Sequence, residues 1–529
     1  MKIGMLKAYP FGGTRGIYGI YSIVYFLSLI GIASYSSGSI FRRLIGIRGP
    51  AARGLIFHLP IFIYFAYITA KMVSGGLIMY ALYAAILFCI PAIPAASGRA
   101  SVFLDKAKGG IVKFVSNERL FLITIFLAAF LIRYFWGLRL LELTGANFIL
   151  ASDDGPGYDQ YASTIAGGGL MQKSAVYGVS GFGYWYFLAG IYRIFGLHNF
   201  KVMIAAQSFI GAFVPMFTYF IGRKIFKARS APVLAAIIAS VDMTLVFLSV
   251  VIGMEAIYIP LVFLALAVAA HVLSRKTVEI KGALLLGCVF GLAYLARPPE
   301  LLLFPAALGL IIFVKNRLNI RRSMPQITAL FVGFLLLVSV QFATNYLIYD
   351  QPPSLPGAVK ASFHARGGAE ENRILGEMGF VPFEDLKGSA SVFMQDPAGV
   401  SKLISKGFFK RLFILYLFPN FGVFDPVFLV NPASGYFFRF PVFAQLCGYL
   451  LVAAGLAAAF IRKENPAGVV TVFAFLAYIS VRVALFFVFN SRYRGVLMPI
   501  FILFFSYGAA SFYSIVKDRY TRRELEYGS

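Results

Sequence analysis

Apolar stretches of roughly 20 residues recur along the whole chain, and that is the length a helix needs to cross the hydrocarbon core of a bilayer. They lie at 17–34, 55–70, 76–96, 120–141, 199–221, 231–250, 255–273, 282–296, 299–314, 326–348, 437–461, 467–489 and 495–516. Helices are the expected form, because a backbone in lipid must satisfy its own hydrogen bonds. Composition agrees: 60% of residues are hydrophobic and only 13% charged. Soluble domains carry about 25% charge, so too little is present to coat a water-facing surface, and disorder is excluded for the same reason. The expected fold class is an all-α polytopic membrane protein with about 12–13 transmembrane helices and two long extracytoplasmic loops.

Charge sets the orientation. Lys plus Arg number 48 and Asp plus Glu 22, a net charge of +26. The basic residues gather in alternate short loops: Arg42–Arg53, Arg99–Lys113, Arg223–Arg229, Arg275–Lys281, Lys315–Arg322, Arg462 with Lys463, and the tail from Lys517 to Arg523. That is the positive-inside pattern, so these loops are placed in the cytoplasm and nucleic acid is excluded as a partner. Membrane lipids are the expected neighbours of this charge. The remaining loops face outward: 71–75, 142–198, 251–254, 296–298, 349–436 and 490–494. This holds if 407–436, broken by Pro419 and Pro426, stays on the outer face as an interfacial helix. Counting 17–34 as a span gives 13 crossings and an outside N-terminus; leaving it in the interface gives 12 and an inside one.

The organisation that follows has four parts: extra N-terminal segments in 1–115; a transmembrane core in 116–348 with its outward loop 142–198; a second outward loop with its interfacial helix in 349–436; and C-terminal spans with a basic tail in 437–529. No internal repeat, phosphate-cradling GxxxxGK[ST] loop or strand-borne GxGxxG is present. Cys89, Cys288 and Cys447 each sit in an apolar segment with no CxxC spacing, so neither a disulfide framework nor a zinc site is implied. No removable signal is expected at the N-terminus.

The first long outward loop carries the densest chemistry. Residues 152–169 read SDDGPGYDQYASTIAGGG, with Asp153, Asp154 and Asp159 within seven residues. Gly155, Pro156 and Gly157 form a turn, and Tyr158, Ala162 and Ala166 then recur on one helical face. Asp154 therefore stands at the entrance of a short helix. Adjacent carboxylates raise each other's pKa and act as a base or hold a divalent cation; the same residues also suit a helix N-cap with surplus surface acid. The loop continues as the amphipathic aromatic stretch GFGYWYFLAGIYRIFGLHNF at 181–200. Later outward ends carry Gly253-Met254-Glu255, Arg297-Pro298, and Arg492-Tyr493 with Pro499 beyond.

Taken in order, these elements resemble the GT-C class of integral-membrane glycosyltransferases, in particular the branch of protein O-mannosyltransferases and the lipid A aminoarabinose transferase. The likeness covers roughly 119–310 and 480–516 and leaves out 1–115. One departure concerns the acidic pair: the branch usually has Glu directly after Asp, whereas Gly155 follows Asp154 here.

The resemblance implies transfer of a sugar from a polyprenyl-phosphate donor to an extracytoplasmic acceptor (lipid, glycan or protein), by inversion, at the plasma (inner) membrane. A lipid-linked donor already resides in the bilayer, which fits a chain without a nucleotide fold. Asp154, with Asp153 as helper or as the base itself, would take the acceptor proton. Arg297 and Arg492 would neutralise the departing phosphate. Tyr158, Trp185 and Tyr493 would hold the sugar, with Asp159 and Glu255 as further substrate-binding candidates. No cofactor is required for these roles; a divalent cation on Asp153, Asp154 and Glu255 is the one candidate. Each residue also has a plainer reading: Arg297 and Arg492 as headgroup contacts, Glu255 as the structural partner of an arginine, Trp185 as part of an interface belt.

Two other functions stay in view. A lipid-linked oligosaccharide polymerase or ligase would lean on the late loop, here with His364 and Arg366, which otherwise reads as a cover over the acceptor site. A transporter or flippase of lipid-linked sugars should show paired halves and mid-span charge; Asp242 is the clearest acidic residue within a span.

Overall fold

The computed structural model describes residues 117–146, 150, 155–169, 182–297, 301, 303–349, 370–379, 386–417, 439–462, 464–486 and 495–527. The expected spans at 17–34, 55–70 and 76–96 lie outside these residues, as do Pro419, Pro426, His364 and Arg366. The chain divides into two compact units. One takes in 1–14 and 125–514, and so contains nearly every described element; the other takes in 15–124 and 515–529.

The described residues are helical, with no strand among them. In chain order the helices are α1 Glu118–Thr144, α2 Gly155–Ala166, α3 Phe182–Phe195, α4 Phe200–Gly211, α5 Phe213–Ile225, α6 Ser230–Val241, α7 Met243–Leu248, α8 Glu255–Ser274 and α9 Ile280–Ala296. They continue with α10 Phe304–Lys315, α11 Ile320–Tyr349, α12 Glu370–Glu377, α13 Leu386–Gln395, α14 Pro397–Leu417, α15 Arg439–Ile461, α16 Pro466–Phe486 and α17 Met498–Tyr527. Among the described residues four helical stretches are long and apolar enough to cross a membrane: Glu118–Arg139, Phe200–Ile225, Glu255–Ser274 and Ile320–Thr344. Within the described residues each apolar segment expected from residue 120 onward falls largely on one helix or on two in succession, and the protein is an all-α polytopic membrane protein.

Helix α8 sits at the centre. It is apolar on all sides and packs against α4, α5, α9 and α16. Helices α9 and α11 make the most intimate pair. A Cβ on Gly287 would collide with the Leu330 carbonyl oxygen, and one on Gly333 with that of Leu284. Small residues spaced along both helices let the backbones touch, as membrane helices require when water supplies no hydrophobic drive between them. The other face of α11 leaves Val332, Leu335, Leu336 and Val340 exposed, a surface suited to lipid.

Two expected spans are interrupted. In 199–221 the helix breaks at Ala212, because Pro215 has no N–H to give to the carbonyl of Gly211. In 231–250 it breaks at Asp242, whose backbone is extended and whose Oδ1 accepts from the Leu245 amide at 3.0 Å, capping α7. Arg133, fully buried on α1, donates through Nη1 to the Ser240 carbonyl at 2.9 Å and through Nη2 to that of Ala239 at 3.2 Å. A buried cation thus serves the carbonyls at the end of α6. The helix expected within 407–436 begins earlier, at Pro397, where Asp396 caps it by accepting from Gly399 at 2.8 Å.

The loops sort into two ends of the bundle. At one end the Lys227 amide donates to Glu464 Oε2 at 3.0 Å, Tyr507 donates to Glu464 Oε1 at 2.8 Å, and Asn465 Nδ2 donates to the Lys224 carbonyl at 3.0 Å. Lys315 Nζ reaches the Leu273 carbonyl at 2.8 Å, and Gln326 that of Val278 at 2.7 Å. These contacts join loops that carry the basic residues. At the other end meet the start of α8, the end of α9, and helices α2 and α3.

Candidate active site

Glu255 opens α8 and Arg297 closes α9. An anion at a helix N-terminus and a cation at a C-terminus each suit the local helix dipole. Because the two helices run antiparallel side by side, these residues meet: Arg297 Nη1 donates to Glu255 Oε1 at 2.5 Å, with both side chains about 6% exposed. The guanidinium carbon also stands 5.9 Å from the centre of the Tyr258 ring, one turn into α8. The Arg297 amide donates to the carbonyls of Ala293 and Tyr294, which fixes the residue as the cap of α9.

Helix α3 lies directly on this corner. A Cβ on Gly183 would come within 2.9 Å of the Leu295 carbonyl oxygen, so only glycine allows so close an approach to the end of α9. The next residue, Tyr184, is fully buried. Its hydroxyl donates to Gln207 Oε1 at 2.8 Å and accepts from the Gly253 amide at 3.0 Å. Gln207 in turn donates to the Val251 carbonyl at 3.1 Å. One phenol therefore ties α3, α4 and the turn before Glu255 together. Burial holds the Tyr184 phenol well above the ordinary tyrosine range, and the nearby charges of Glu255 and Asp159 push the same way.

Helix α2 docks on α3 through rings. Tyr158 meets Tyr184 edge-on at 5.7 Å and Trp185 at 6.4 Å, while Tyr161 meets Trp185 at 5.0 Å. Ala162 is fully buried on the same face. Asp159 points along α3: it accepts from the Tyr192 hydroxyl at 2.5 Å, and His198 Nδ1 lies 3.0 Å from its other oxygen. Burial, and then the bond to Asp159, raise the Tyr192 phenol far above its usual value.

The structure thus connects five of the expected site residues through one set of contacts. Tyr158 and Trp185 reach Tyr184, and Tyr184 reaches the turn that carries Glu255 and, through it, Arg297; Asp159 anchors the same helix as Tyr158. Trp185 is completely buried, and Tyr158 and Tyr161 of α2 are among the groups that cover it. Asp153, Asp154, Arg492 and Tyr493 lie outside the described residues; α2 begins at Gly155, directly after the acidic pair. Among the described residues no cluster of three His, Cys, Asp or Glu is placed to hold a metal ion. Glu255 spends one carboxylate oxygen on Arg297, which is the structural pairing expected as its plainer role.

Several polar residues of this corner escaped the sequence reading. Gln207 is an amide in an apolar run, Arg133 a charge in another, and both carried the general signal of a polar group buried in a span. Tyr184, Tyr192 and His198 were hidden in an aromatic stretch where each resembles its neighbours.

A buried arginine and carboxylate therefore meet at the joined ends of two apolar helices, beside a short aromatic helix pair, and this corner is the candidate site among the described residues. Residues 180–342, which run from α3 through α11, match the family model described as dolichyl-phosphate-mannose-protein mannosyltransferase. The match supports a membrane glycosyltransferase of the GT-C class, as the order of the motifs implied. No curated protein matches the chain.

Proposed function

We propose that the chain transfers a sugar from a polyprenyl-phosphate donor to an acceptor at the extracytoplasmic face of the plasma (inner) membrane. One observation carries this reading: the Glu255–Arg297 pair is joined through Tyr184 to Tyr158 on α2, and α2 begins immediately after Asp153 and Asp154. A cation suited to phosphate and the first turn of α2 thereby belong to one end of the bundle, and the carboxylate pair suited to proton removal directly precedes that turn in sequence.

In the proposed reaction the acceptor hydroxyl loses its proton to Asp154, with Asp153 as helper or as the base itself. The acceptor oxygen attacks the anomeric carbon, the bond from that carbon to the phosphate oxygen breaks, and polyprenyl phosphate leaves with the bonding pair. A single displacement inverts the anomeric configuration. Arg297, held in orientation by Glu255, and Arg492 neutralise the departing phosphate; a guanidinium matches phosphate oxygens with paired donors. Tyr158 and Tyr493 contribute aromatic surface for the sugar. If a divalent cation takes part, Asp153 and Asp154 are the carboxylates to hold it.

The role of Asp242 as the cap of α7 accounts for the acid that favoured a transporter. The test is donor turnover in proteoliposomes with a panel of polyprenyl-phosphate sugars. Wild type, Asp153→Asn and Asp154→Asn are compared with His364→Ala and Arg366→Ala. Loss confined to the aspartates supports the transferase; loss confined to His364 and Arg366 points to a polymerase or ligase.

A further inference from the structure

Asp159 follows the acidic pair by five residues in sequence, and its own contacts run to Tyr192 and His198. Its carboxylate is nearly enclosed, at 12% side-chain exposure, and both of its oxygens are engaged. Tyr192 donates to Oδ1 at 2.5 Å, and His198 Nδ1 lies 3.0 Å from Oδ2 and 3.1 Å from Oδ1. The turn between α3 and α4 is shaped to hold that imidazole in place. Gly196 has φ 98° and His198 itself φ 57°, a left-handed conformation that costs energy in a residue bearing a Cβ. Asn199 closes the turn, donating to the Phe195 carbonyl at 2.9 Å and accepting from Val202 at 3.4 Å. The His198 ring is thus set between Tyr192 at 5.6 Å and Phe200 at 6.1 Å, against Asp159.

We propose that Asp159 is a positioning residue: clamped by Tyr192 and His198, it docks α2 on α3 and so fixes the start of that helix at Gly155. Its effect on transfer rests on the reading of the acidic pair that precedes Gly155 in sequence as the proton acceptor. The clamp is the polar part of the docking; the apolar part is the contact of Tyr158 and Tyr161 with Trp185.

The chain has two tryptophans, Trp136 and Trp185. In a Trp136→Phe background the emission of Trp185 reports whether α2 lies on α3, with no reference to sugar transfer. The experiment measures acrylamide quenching of the full-length protein in nanodiscs, alongside kcat and donor KM. Asp159→Asn and Tyr192→Phe are expected to raise quenching about twofold or more and to lower kcat about tenfold at little change in KM. Unchanged quenching in both Asp159→Asn and Tyr192→Phe overturns the proposal. A rise in KM with Trp185 unmoved also overturns it, by making Asp159 a substrate ligand. Should the parent transfer no sugar while the quenching pattern holds, the transferase reading fails and the docking role stands.

Discussion

Glu255 and Arg297 are 42 residues apart in the chain, yet they form a buried ion pair across the joined ends of α8 and α9. Each charge has left water, and each is offset by the other. Removing one partner leaves an uncompensated buried charge, which typically costs about 3–5 kcal/mol. Glu255→Gln is therefore expected to lower the unfolding midpoint sharply, and Glu255→Gln with Arg297→Gln to recover much of the loss. A double-mutant cycle by thermal unfolding in detergent measures this coupling; additive effects would show that the two side chains act independently.

The phenols of α3 make stability depend on alkaline pH. Burial raises the Tyr184 and Tyr192 phenols above their unfolded value of about 10. A group whose pKa is raised by folding contributes stability that is complete below the unfolded value and is lost as pH climbs through the folded one. Unfolding free energy is expected to decline above about pH 10, and Tyr192→Phe to make that decline shallower. Denaturant titrations of both proteins between about pH 8 and 11 test it.

The break at Asp242 yields a contrast. Asp242→Ala removes the cap of α7 and is expected to cost about 1 kcal/mol with sugar transfer intact. Arg133→Met strips the donors from the carbonyls of Ala239 and Ser240 and is expected to cost more, about 2–3 kcal/mol. Thermal unfolding orders the two variants. Loss of transfer in Asp242→Ala at unchanged stability would return this acid to a functional role.

Contact between α9 and α11 supports the placement of Arg297 from a distance. A methyl group at Gly287 would meet the Leu330 carbonyl oxygen, so Gly287→Ala must force the helices apart. The expected cost is about 1–3 kcal/mol. Gly309→Ala, where the added carbon would find its nearest neighbour at 3.6 Å, is expected to be close to neutral. Unfolding midpoints of the two variants make the comparison.

The fold was legible from hydropathy because a lipid-crossing helix must be apolar along its length, and from residue 120 onward the described part of each such run is largely helical. Hydropathy averages over a window, so it passed over the breaks at Ala212 and Asp242, where one proline and one capping carboxylate decide the backbone locally. At the site, the helix with Tyr158 and Ala162 on one face was legible from its four-residue spacing. Glu255 and Arg297 were each readable as costly charges at span ends, but their pairing depends on two helices meeting. Trp185 shows the opposite limit: an aromatic beside a span reads as an interface or a sugar surface, and only packing reveals that it is fully buried against Tyr158 and Tyr161 of α2. Asp159 was grouped with its acidic neighbours by sequence distance, whereas helical geometry turns it toward Tyr192 and His198.

The most direct measurement pairs sugar transfer with binding of polyprenyl phosphate, in proteoliposomes, for wild type, Asp153→Asn, Asp154→Asn and Arg297→Gln. The expected result is loss of transfer by about a hundredfold or more in Arg297→Gln and in at least one of the aspartate variants. Polyprenyl phosphate binding should weaken in Arg297→Gln alone. Transfer at the wild-type rate in both aspartate variants, or undiminished phosphate binding in a folded Arg297→Gln, would contradict a single donor site built from the start of α2 and the end of α9.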